Sequence, residues 1–132
     1  MWKQVKTKSD IEELIFESQN FHDSCLHSME YTSGAYVDKD GSMYPVNSSR
    51  ILTMQMHQQG SSAKVLQLRF EGLQALVLSP TSPDYTCELF EGYVILQNDE
   101  IILTSDGLDV LTTEQRLFIK ASHLSWKIEA MK

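Results

Sequence analysis

Ile51-Leu52-Thr53-Met54-Gln55-Met56-His57-Gln58, followed by Gln59-Gly60-Ser61-Ser62-Ala63 and then Lys64-Val65-Leu66-Gln67-Leu68-Arg69-Phe70-Glu71, is the run that decides the fold. Leu52, Met54 and Met56 alternate with Thr53, Gln55 and His57, and on the return Leu66, Leu68 and Phe70 alternate with Gln67, Arg69 and Glu71. A period of two is the signature of a strand with one face buried. Gly60, Ser61 and Ser62 supply the hairpin connection between the two strands.

Upstream, one segment reads as helix. Ser9 followed by Glu12 has the form of a capping box, and the helix runs through Asp10-Ile11-Glu12-Glu13-Leu14-Ile15-Phe16-Glu17-Ser18. Ile11, Leu14 and Ile15 form its apolar stripe, Glu12, Glu13 and Glu17 face water, and Asn20 is the stop signal. After Phe21 the period changes to two: Cys25, Met29 and Tyr31 are expected inside, with Ser24, Ser28, Glu30 and Thr32 outside. Residues 37–50 (VDKDGSMYPVNSSR) are turn and loop chemistry.

Downstream, Gly72 is expected to break the run at a bulge or bend, with a new strand in LQALVLS and a loop in SPTSPD. CELFEGYVIL, a turn at Asn98-Asp99-Glu100, and IILTS form a second hairpin. After a loop around Asp106, Gly107 and Asp109, the residues Phe118, Leu124, Trp126 and Ile128 mark a C-terminal strand. The expected class is α+β and mostly antiparallel β: a curled sheet, open barrel or sandwich of about seven strands, with one N-terminal α-helix. At 132 residues, one domain spanning 1–132 is expected.

Composition narrows the function classes. Eighteen acids against eleven Lys and Arg give a net charge of −7, with the cations dispersed, which argues against nucleic acid. The first residues contain no apolar signal-peptide core and no apolar run reaches membrane-spanning length, so neither signal peptide nor membrane partner is expected. Cys25 and Cys87 have no metal-finger spacing, and reduced thiols in the cytoplasm are expected.

Between Arg69 and Arg116 there is no Lys, Arg or His, yet Glu71, Asp84, Glu88, Glu91, Asp99, Glu100, Asp106, Asp109 and Glu114 all lie there. Such a stretch predicts a negative field that attracts a basic protein. Glu88, Glu91, Asp99 and Glu100 are therefore candidate partner contacts. Tyr36 and Tyr44 join them, because amphipathic rings in a long loop are frequent contact residues.

No phosphate-binding Gly loop, nucleophile elbow or HExxH pattern is present, so no catalytic, cofactor or metal residue is assigned. Asp38-Lys39-Asp40-Gly41 has the opening of a calcium loop but Ser49 where its twelfth-position Glu belongs, and is read as a turn. The main chemical alternative is a small metal- or cysteine-dependent enzyme centred on His22, Asp23, Cys25 and His27. Neighbours on a strand point to opposite faces, which separates His22 from Asp23 unless a turn intervenes. Asp23, Cys25 and His27 are expected to share one face. His57 and His123 are more distant candidates for a shared ion.

Phe21-His22-Asp23, opening a strand just after a short helix, resembles an "FHD" element of small bacterial proteins, including immunity-protein-like families of polymorphic toxin systems. The likeness covers roughly residues 11–34. It implies a mostly β fold and a role in binding and blocking a toxin, with Phe21, His22 and Asp23 as structural signature positions. Together these readings predict a non-enzymatic acidic protein-binding domain, immunity-like, with a basic partner and no cofactor.

Overall fold

The computed structural model describes residues 1–80, 83–84, 92–105 and 117–131. It shows the expected class: one N-terminal helix and a mostly antiparallel sheet that does not close into a barrel. The strands are β1 (Lys3–Val5), β2 (Ser24–Thr32), β3 (Tyr36–Val37), β4 (Met43–Tyr44), β5 (Ile51–Gln58), β6 (Lys64–Leu78), β7 (Tyr93–Gln97), β8 (Glu100–Thr104) and β9 (Leu117–Ala130). The helix α1 spans Lys8–Glu17 and is followed by a 3-10 turn, Gln19–Phe21. The large sheet runs β2-β5-β6-β9-β8-β7, with β1 pairing the far half of β9, while β3 and β4 form a separate ribbon.

The 51–71 hairpin forms as read, with Leu52 opposite Phe70, Met54 opposite Leu68 and Met56 opposite Leu66. All six side chains are buried in one cluster with Leu14, Phe21, Leu103, Ile119 and Trp126. The alternate residues Thr53, Gln55 and His57 lie on the opposite face, as period two requires. Helix α1 covers the apolar side, burying Leu14 completely and Ile11 and Ile15 in part.

Four local readings are corrected. The helix is capped by Thr7 and Asp10 rather than by Ser9 and Glu12. The Asp10 carboxylate accepts from the Lys6 N–H at 2.8 Å and the Thr7 N–H at 2.9 Å, so the reciprocal cap forms earlier and Ser9 falls inside the helix. Gly72, at φ +67, does not end its strand: β6 continues to Leu78 and takes up a register shift between Leu73 and Ala75. The phase of β2 also differs. Leu26 pairs Met56 but Ser28 pairs Gln55, so His27 is an extra residue in a bulge and the inward phase switches from even to odd numbers. Ser24 is therefore buried and Leu26 faces the core, whereas Cys25, expected inside, is exposed; past the bulge Met29 packs against the core as expected, and Tyr31 is exposed. The fourth correction concerns His22 and Asp23. The strand begins at Ser24, after a turn, so the two side chains do meet: His22 Nδ1 lies 3.2 Å from Asp23 Oδ2.

Candidate functional site: an exposed hairpin arm

The loop expected over 37–50 contains a short two-stranded arm, β3–β4, in the connection between β2 and β5. Its base is clamped: the Ser49 and Arg50 N–H groups both donate to the Ser33 carbonyl, at 2.9 and 3.1 Å. Gly34, at φ +97, permits this close approach, because a Cβ there would stand 2.5 Å from Ser48 Oγ and 2.6 Å from the Ser49 nitrogen. Its tip is a built turn. The Asp38 N–H donates to the Ser42 carbonyl at 2.9 Å, and Asp38 Oδ1 accepts from the Asp40 and Ser42 N–H groups at 2.9 and 3.0 Å. Asp38 is thus engaged in closing a turn, which is the reading the missing twelfth ligand suggested.

Between base and tip, Tyr36 pairs Tyr44 and Val37 pairs Met43. The two tyrosine rings stack with centroids 4.8 Å apart and planes at 17°. Every one of these side chains faces water: Tyr36 is 59% exposed, Tyr44 47%, Val37 57% and Met43 67%. Val46 beside them is exposed as well. Both faces of the ribbon are therefore apolar and open, an arrangement a monomeric surface seldom carries without a contact role. The sequence reading found the tyrosines and missed Val37, Met43 and Val46. The signal was present in two apolar pairs flanking Asp38-Lys39-Asp40-Gly41, a hairpin turn with Gly at a left-handed position, φ +87.

The acidic candidates are distributed differently from the linear reading. Asp99 is exposed on the β7–β8 turn, at φ +63. Glu100 is half-buried and its carboxylate lies 3.2 Å from Lys120 Nζ, while Glu71 lies 3.1 Å from Arg69 Nε. Strand pairing brings Lys120 to Glu100, and Arg69, at the edge of the stretch, reaches Glu71 along the same strand, so its carboxylates are not uniformly uncompensated. Glu88 and Glu91 lie outside the described residues, as does Cys87.

The FHD element divides between core and surface. Phe21 is fully buried and packs on Gly92, and the Asp23 carbonyl accepts from the Gln59 N–H at 2.9 Å. The His22 and Asp23 side chains meet at the exposed surface. Cys25 and His27 belong to a second group: Cys25 sits directly opposite His57, and the His27 and His57 rings stack 4.0 Å apart. Among the described residues, no three His, Cys, Asp or Glu side chains converge as a metal cage. His123 is exposed at a groove of about 470 Å³ beside Lys6, Leu96, Asp99 and Ser122. Comparison with protein-family models, curated proteins and solved structures finds no match. No helix among the described residues is long and apolar enough to cross a membrane.

Gln58 has no local signature in the sequence, and it holds the end of the sheet away from the arm. Its buried side-chain amide donates to the Ser18 carbonyl at 2.9 Å and to Ser24 Oγ at 3.0 Å, tying β5 to the helix end and to the start of β2.

Proposed function

We propose that this chain is a non-enzymatic protein-binding domain whose contact element is the β3–β4 arm. The observation that carries the reading is the stacked Tyr36–Tyr44 pair, held in water on a ribbon clamped at base and tip. An isolated two-stranded ribbon has little stability of its own, and large rigid rings are what buried interface centres use. Exposed acids such as Asp99, with the net charge of −7, favour a basic partner and a salt-sensitive association rate. Neutralisation of a basic toxin is the role that the FHD resemblance implies.

The test is affinity capture at low salt with the wild-type chain and with a Tyr36→Ala/Tyr44→Ala variant. Each of the two rings is half exposed or nearly so, so the variant should melt close to wild type while losing the captured protein. Equal capture by a folded variant would refute the assignment of the arm.

A further inference from the structure

We propose that His27 and His57 form a two-imidazole chelate for a borderline divalent cation, Zn²⁺ being the probe, on the solvent face of β2 and β5. Two features of the fold bring these residues together. The β2–β5 register sets His57 on the outer face, opposite Cys25. The bulge then leaves His27 without a cross-strand partner of its own, and its ring lies over that of His57.

The dimensions suit one ion shared by two rings. The centroids are 4.0 Å apart with 18° between the planes, so the two rings are neighbours; a shared tetrahedral ion with Zn–N bonds of about 2.0–2.1 Å needs their donor nitrogens about 3.3 Å apart. The rings now stand face to face, so ligation requires each to turn about its Cβ–Cγ bond. That torsion is soft for an imidazole, and His27 is exposed while His57 is half-buried. Among the described residues neither ring is committed to a hydrogen bond or ion pair, so no competing contact has to break. Neutral imidazole nitrogen suits Zn²⁺, Ni²⁺ and Cu²⁺ and disfavours Mg²⁺ and Ca²⁺. Water completes the coordination. Cys25 shares the face, but three donors do not converge, so its thiol is outside the ligand set. The site is independent of the β3–β4 arm.

Calorimetric titration of the full reduced chain with Zn²⁺ is the test, paired with NMR of the histidine ring protons. One equivalent should bind, with ring signals of His27 and His57 shifting and those of His22 and His123 still. His27→Ala and His57→Ala should each weaken binding at least about tenfold, and Cys25→Ser should leave it within about threefold. Should His57→Ala perturb the melt, His57→Gln serves the same purpose without the loss of volume. Absence of binding below about 1 mM, binding that survives both histidine substitutions, or binding abolished by Cys25→Ser would each overturn the proposal.

Discussion

Gly92→Ala tests whether the FHD phenylalanine is a structural post. A methyl at Gly92 would stand 2.6, 2.9 and 3.2 Å from Cδ2, Cγ and Cε2 of the Phe21 ring, where about 3.4–4 Å is ordinary contact. Phe21 has no exposed surface and is enclosed in the cluster that holds Leu14 and Val94, so the ring cannot swing into solvent. Overpacking of this kind costs about 1–3 kcal/mol. With a urea slope of about 2 kcal/mol per molar, the unfolding midpoint should fall by roughly 1 M with the slope unchanged. Phe21→Leu alone should also destabilise, by leaving a void. Combined, the two changes compensate, because the added methyl takes space the smaller side chain releases. The double variant should therefore lose less than the sum, by about 1 kcal/mol or more. Strict additivity, or a Gly92→Ala midpoint equal to wild type, would show that the ring and the glycine do not share this contact.

Three further outcomes follow from the same geometry. Asp38→Ala removes the acceptor of two backbone N–H groups at the arm's tip, so proteolysis within residues 36–44 should accelerate while the global urea midpoint holds. The Asp10 carboxyl is held below its ordinary value of 3.8, chiefly by the Lys6 backbone N–H and next by that of Thr7. Its contribution is therefore full above the unfolded value and lost as pH falls through the lowered folded one; Asp10→Asn should be less stable at pH 7 and flatter across the acid range when followed by circular dichroism. Gln58→Leu removes two buried hydrogen bonds, to the Ser18 carbonyl and to Ser24 Oγ, and at about 0.5–1.5 kcal/mol each should cost about 1–3 kcal/mol by chemical denaturation.

The legible part of the fold was the part where the two faces of an element differ in polarity over many residues. The 51–71 hairpin and the Ile11-Leu14-Ile15 stripe meet that condition, while the Asn98-Asp99 turn was legible from its turn-forming residues, and the structure has each of them. One inserted residue defeats the same logic. The bulge at His27 reverses every later side chain of β2, and nothing in the alternation of Cys25, Met29 and Tyr31 discloses it. Gly72 marks a backbone irregularity but not a strand end, because β9 runs alongside on the other edge and keeps pairing through it. The pairing of Cys25 with His57, or of Glu100 with Lys120, depends on register between distant segments and has no local signature.

A carboxylate pairing a lysine within its own sheet, as Glu100 does, offers a partner much less than its formal charge. The acids that stay free act over distance, on the rate of encounter, and salt weakens them. Residence requires desolvated contact instead, and the described surface concentrates exposed aromatic and aliphatic groups on Tyr36, Val37, Met43, Tyr44 and Val46. The Asp38 turn and the Ser33 clamp order this ribbon before any partner arrives, which reduces the conformational entropy lost on binding. In the proposed complex the two contributions are separable: charge on the scaffold would set the rate of arrival, and the arm how long the complex lasts.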